Sequence, residues 1–100
     1  MKLLYSTAAT ADLDRLRAFI AEHDPAAALR IVEGLIARVE RLADFPEMGR
    51  SVESAPDVLR VREFAFDAYL VRYMVSTESL IVLRVLHHRE DRREDRRERE

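Results

Sequence analysis

Leu59-Arg60-Val61-Arg62-Glu63-Phe64, Tyr69-Leu70-Val71-Arg72-Tyr73-Met74-Val75 and Leu80-Ile81-Val82-Leu83-Arg84-Val85-Leu86-His87 are three runs dense in β-branched, aromatic and aliphatic residues. Polar or small residues from Ala65 to Ala68 and from Ser76 to Ser79 separate them, which reads as a three-stranded antiparallel meander. The last run is apolar at nearly every position, the mark of a strand with neighbours on both sides. Such a sheet needs a cover, and the rest of the chain must supply it.

Register carries the first functional expectation. A three-residue loop Thr77-Glu78-Ser79 places Tyr69, Val71, Tyr73 and Val75 on one face with Ile81, Leu83 and Val85, and sets Arg72 opposite Arg84. A three-residue loop Phe66-Asp67-Ala68 at the other break sets Arg62 opposite Arg72. The second face then holds an Arg62, Arg72 and Arg84 band beside Leu70, Met74, Val82 and Leu86. Like charges directly opposite one another repel, so this mixed face reads as a surface for an anionic or amphipathic partner. A register shifted by one residue separates the arginines and leaves each as a snorkelling side chain. Both registers fit the sequence.

Upstream, Lys2 to Tyr5 alternates weakly and Ser6-Thr7 follows, a short strand entering a helix through a hydroxyl cap. From Ala8 to about Glu22, Ala9, Leu13, Leu16 and Ile20 recur at helical spacing. Asp24 is placed to cap a second helix and Pro25 to occupy its first turn, where a missing N–H costs nothing. Ala28, Ile31, Leu35, Val39 and Leu42 form that helix's apolar stripe, and Gly34 permits close approach to the first helix. Pro46 stops the helix, Gly49 permits a turn other residues resist, and a loop through Pro56-Asp57 leads to the meander. Two helices joined by a few residues pack antiparallel and cover one sheet face. The expected fold is α+β, in the order β-α-α-β-β-β, with the helix hairpin on one face of a mainly antiparallel four-stranded sheet.

One hundred residues with 48% hydrophobic content suit one small domain, expected over residues 1–88. Residues 89–100 contain six arginines, six acids and no apolar residue, which reads as a charged tail, disordered or a frayed helix. A net charge of -2 opposes holding duplex DNA by bulk phosphate neutralisation, so no sequence-specific DNA binding by this chain is expected. Without cysteine there is neither a disulfide framework nor a thiol nucleophile, and neither a metal site nor a cofactor is expected. The opening residues imitate a secretory signal only faintly, because Asp12 and Asp14 follow a very short apolar run. The expectation is a cytoplasmic protein with no membrane span.

The order of elements, with particular residues, resembles the RelE/ParE superfamily of toxins from type II toxin–antitoxin systems, and most its ParE branch. The matching positions are Ala8, Asp12 and Leu13, then Asp24-Pro25 with Ala27 and Ala28, then Leu42-Ala43-Asp44-Phe45-Pro46-Glu47-Met48-Gly49-Arg50. Arg62-Glu63, Tyr69-Leu70-Val71 with Tyr73, and Ile81-Val82-Leu83-Arg84-Val85-Leu86-His87 follow in the same order and spacing. The resemblance runs from about Lys2 to Arg89. It implies a toxin neutralised by a cognate antitoxin in a hetero-oligomer. ParE-like members are associated with inhibition of DNA gyrase, and RelE-like members with cleavage of mRNA in the ribosome.

Fold does not settle function between those branches. Metal-independent cleavage of RNA needs a base for the 2′-hydroxyl, cations for the charged phosphorane and an acid for the leaving oxygen. Arg62, Arg72 and Arg84 are the candidate cations and His87 or His88 the candidate acid or base, so the catalytic set would be Arg62, Arg84 and His87. RelE-like ribonucleases typically carry a richer basic cluster. Here Lys2 is the only lysine, and Arg50 is the only basic residue between Arg41 and Arg60. The sequence therefore favours a gyrase-directed toxin acting by binding, with Arg62, Leu70, Arg72, Met74, Val82, Arg84 and Leu86 as the antitoxin- or target-binding set. The alternatives are a RelE-like ribonuclease and a non-toxic protein-binding domain of the same fold. A general nucleic-acid module would want aromatic platforms among basic residues, whereas Tyr69 and Tyr73 fall on the expected core face.

Overall fold

Ser6 begins the first helix and ties it to the sheet in one step. Its Oγ accepts from the Ala9 N–H at 3.0 Å and donates to the Leu83 carbonyl at 2.8 Å. The computed structural model describes residues 1–52 and 60–87. In chain order these form β1 (Lys2–Tyr5), α1 (Thr7–His23), α2 (Pro25–Asp44), β2 (Arg50–Ser51), β3 (Val61–Phe66), β4 (Tyr69–Val75) and β5 (Ser79–His87). Asp24 caps α2 by accepting from the Ala27 N–H at 3.1 Å, with Pro25 in the first turn, as the sequence requires.

The strands form one sheet in the order β1-β5-β4-β3-β2, so β5 has neighbours on both sides. β1 runs parallel to β5 and the other pairs are antiparallel. The expected four strands gain a fifth, the two-residue β2. The helices pack on one face around a core of Ala9, Leu16, Leu35, Val39 and Leu42 against Val71, Tyr73, Leu80, Val82 and Val85. The expected Pro56-Asp57 loop, Leu59, His88 and the tail lie outside the described residues.

The meander departs from the expected register at both hairpins. β3 continues through Ala65 and Phe66, and Phe66 pairs with Tyr69, leaving only Asp67 and Ala68 in the turn. Asp67 takes a left-handed φ of 51°, which aspartate tolerates better than most residues. The three-residue loop Phe66-Asp67-Ala68 is therefore wrong by one residue, and every β3 side chain changes face. Glu63, not Arg62, stands opposite Arg72, while Arg62 stands opposite Tyr73 on the helix side.

At the second hairpin Ser76 N–H bonds the Ser79 carbonyl at 2.8 Å, so the loop is Thr77-Glu78 rather than three residues. The tighter loop would put the whole pair out of step, but a bulge between Arg72 and Tyr73 absorbs one residue. Beyond it Arg72 faces Arg84 and Val71 faces Val85, as expected; before it Tyr73 faces Val82 and Val75 faces Leu80. Val82 is consequently fully buried under the helices, and Ile81 takes its place on the outer face. A run apolar at every position accepts either orientation, so nothing in β5 resists the shift.

Candidate functional site: the outer sheet face and its arginines

Side chains on the sheet face away from the helices fall into three rows that cross the strands. Val61, Met74, Ile81 and Leu4 are in register across β3, β4, β5 and β1. Glu63, Arg72 and Arg84 form the next row, and Ala65, Leu70 and Leu86 the one beyond. A charged row thus separates two apolar ones. Leu70 and Leu86 are nonetheless buried, at 6% and 1% exposure, although neither belongs to the core cluster under the helices. Leu4 is exposed, and Val61, Met74 and Ile81 are half-buried.

Each arginine of the expected band has an internal partner. Arg72 donates from Nε and Nη2 to Glu63 Oε1 at 2.9 and 2.7 Å. Arg84 grips Asp12 with both ends of its fork, Nε to Oδ2 at 2.8 Å and Nη2 to Oδ1 at 3.1 Å. Arg62, on the helix side, donates to the Gly49 carbonyl at 3.1 Å. Two guanidinium groups do face each other, as expected, and the repulsion that such a pair carries is offset by a carboxylate on each side.

Asp12 is the hub that the sequence did not reveal as one. β1 covers β5 only from Ser79 to Val82, and where that pairing ends α1 brings Asp12 to the open edge. Its carboxylate accepts from Arg84, from the Val85 backbone N–H at 2.9 Å and from Arg15 at 3.2 Å. Burial alone would raise its pKa; the hydrogen bonds from Arg84, Val85 and Arg15 outweigh that and hold it below the usual aspartate value. A signal existed in the sequence, since Asp12 lies between Ala9 and Leu16 on the buried line of α1. A buried acid needs a partner.

Behind the sheet, Tyr73 anchors the segment after α2. Its hydroxyl accepts from the Gly49 N–H at 3.0 Å and donates to the Pro46 carbonyl at 2.7 Å. Burial raises the phenol's pKa despite the Gly49 hydrogen bond and the nearby Arg62, so the hydroxyl keeps the proton it donates. This explains the Pro46-Glu47-Met48-Gly49 pattern: the ends of the turn are held by one side chain.

The expected catalytic set is not brought together. His87 pairs with Tyr69 on the helix side and packs edge-on against its ring, with centroids 5.7 Å apart. Arg84 lies on the outer face, and Arg62 is held towards Gly49, several residues away along the strands. His88 falls outside the described residues. Among the described residues no three His, Asp or Glu side chains converge to hold a metal, and no helix is long and apolar enough to cross a membrane.

With this geometry in hand, similarity to known proteins becomes informative. Residues 3–92 match the family model described as the ParE toxin of the type II toxin–antitoxin system, parDE. Toxin RelE1 of Caulobacter vibrioides is 34% identical over 90 residues, covering 90% of this chain and 96% of that protein. Toxin RelE3 of the same organism is 30% identical over 81% of this chain and 87% of its own length. A solved structure of the chromosomal ParDE TA system from P. aeruginosa superposes with a TM-score of 0.75. It covers 87% of this chain and 95% of its own and is 24% identical, so it speaks for the fold.

Proposed function

The chain belongs to the ParE toxin family of type II toxin–antitoxin systems, and from that premise we propose that it is a gyrase-directed toxin acting by binding, not by cutting RNA. One observation carries the choice. The cations that a ribonuclease would aim at a phosphorane are committed within the chain: Arg72 to Glu63, Arg84 to Asp12 and Arg62 to the Gly49 carbonyl. A phosphate would have to compete with a carboxylate for two of them. The one described histidine near this region, His87, sits on the opposite face from Arg72 and Arg84. Positioned acid, base and charge stabilisation must converge on one reacting group for such catalysis.

A toxin of this family has an antitoxin partner. The outer face suits one, since its apolar rows flank the charged row. Arg72, Met74 and Arg84 are the contact residues of this reading, with Ile81 replacing Val82, while Leu70 and Leu86 drop out of the expected set because they are buried. Arg62 acts from behind, by holding the segment that carries Met48 and Arg50. Action on gyrase places the chain in the cytoplasm.

The second reading, a ribosome-dependent ribonuclease, draws on the names of the two Caulobacter relatives. The test is supercoiling by purified gyrase beside mRNA cleavage on translating ribosomes, with the wild type and with His87→Ala. The expected result is inhibited supercoiling that survives the substitution, with no mRNA cleavage. Cuts in mRNA that fall about a hundredfold or more in His87→Ala would establish the second reading instead.

A further inference from the structure

Six large hydrophobic side chains are exposed among the described residues, and two of them, Phe45 and Met48, share one turn. The Met48 N–H closes that turn by bonding the Phe45 carbonyl at 3.0 Å. Phe45 is 56% exposed and Met48 45%. Their charged neighbours Asp44 and Glu47 are exposed too.

The turn is pinned at both ends. The Phe45 N–H bonds the Arg41 carbonyl, which fixes it to the end of α2. From the core side the Tyr73 hydroxyl holds the Pro46 carbonyl and the Gly49 N–H, and Arg62 donates to the Gly49 carbonyl. Tyr73 is itself fully buried, so two apolar side chains are held out into water by an anchor that reaches the core. Ending α2 and entering β2 requires Pro46 and the absent Cβ of Gly49, but neither Phe45 nor Met48. The acids lack a structural task as well. Asp44 ends α2, where the helix dipole disfavours a negative charge, and neither Asp44 nor Glu47 has an ion pair among the described residues.

We infer that this turn is the anchor by which the chain seats on its protein target. Phe45 and Met48 enter an apolar pocket of that target, and Asp44 and Glu47 meet cations at the pocket's rim. Aromatic and methionine side chains concentrate at the centres of protein interfaces, while acids stay at the rim. A turn already fixed in its bound shape loses little conformational freedom on docking. Arg41 and Arg50 stand before and beyond it, but the charges nearest the two apolar side chains are both acidic, which favours a protein surface over nucleic acid. The inference rests on the gyrase reading above for the identity of the target, and it concerns the turn after α2 rather than the apolar rows of the sheet.

The test is inhibition of supercoiling by purified gyrase, measured with the full chain. Phe45→Ser and Met48→Ser should each raise the concentration for half-inhibition at least about tenfold, the loss expected of an interface anchor. Leu29→Ser, at a position on α2 that is 61% exposed, serves as the control. It should leave inhibition within about twofold of the wild type. All three sites are exposed, so melting temperatures should stay close to that of the wild type. Glu47→Lys should cost about fivefold at low salt and less at high salt. A photoreactive benzoylphenylalanine in place of Phe45 should crosslink to gyrase, and one in place of Leu29 should not. Unchanged inhibition by Phe45→Ser and Met48→Ser overturns this inference alone and leaves the gyrase reading standing. An equal loss in Leu29→Ser overturns it too, because general surface hydrophobicity would then explain the effect. Should a serine variant lose its fold, the crosslink decides, and its absence from inhibited gyrase overturns the inference. No inhibition by the wild type overturns both readings.

Discussion

Gly34 and Gly49 show how differently one residue type can be constrained. Neither has a positive φ, so the backbone freedom expected of Gly49 is not what it supplies. A Cβ at Gly49 would lie 2.5 Å from the Tyr73 hydroxyl and 2.6 Å from the Glu63 carbonyl oxygen, so the absent side chain is the requirement. Gly34 was expected to let the helices approach one another. A Cβ there meets only Phe66 of β3, at an ordinary 3.8 Å. Gly49→Ala should therefore destabilise by about 1–3 kcal/mol, the range for overpacking. Gly34→Ala should stabilise by up to about 1 kcal/mol through helix propensity. Denaturant melts of both variants check the pair, and similar effects from the two would refute the distinction.

α1 is attached to β5 by Asp12, which closes an open stretch of strand edge and orients Arg84 in the same contact. The Asp12 side chain is 6% exposed and that of Arg84 35%, so solvent screens the pair only on one side. Asp12→Ala would remove the carboxylate that accepts from the Val85 N–H and from both ends of the Arg84 fork. The expected loss is about 3 kcal/mol, the lower end for a buried pair because Arg84 is partly wet. The pH dependence follows from the direction of the shift. Asp12 titrates lower folded than unfolded, so its contribution is complete above the ordinary aspartate range. It is lost as pH falls through the lowered folded value, with the decline starting near about pH 4. Melts from neutral to strongly acid pH should show this limb in the wild type and a shallower one in Asp12→Asn.

Across the whole molecule, the two sheet faces have different fates. The helix hairpin covers one, while the other carries an apolar row of Leu4, Ile81, Met74 and Val61 that neither α1 nor α2 covers among the described residues. Apolar area continued across four strands is a self-association hazard unless a partner covers it. The free chain is expected to self-associate at high concentration and to become monodisperse with its antitoxin. Met74→Glu, at a half-buried position on the outer face, should reduce self-association without unfolding the chain. Sedimentation of the free chain, the variant and the complex measures this. A free wild-type chain that stays monomeric at high concentration would remove the face from consideration as a partner surface.

Local chemistry determined most of the architecture. Ser6 and Asp24 mark the helix starts, Pro25 and Pro46 bound α2, and the apolar stripes of both helices face the core as their spacing demands. These are short-range effects, complete within a turn or two of chain. What the tertiary structure alone decided was register, and with it the identity of the site. One residue in each hairpin loop moved Arg62 behind the sheet, Val82 into the core, and Glu63 and Ile81 onto the outer face. Alternation could not choose, because β5 is apolar on both sides and a bulge costs it little. The counter-charges were likewise out of reach: Asp12 and Arg84 are 72 residues apart, and only the path of α1 along the β5 edge brings them together.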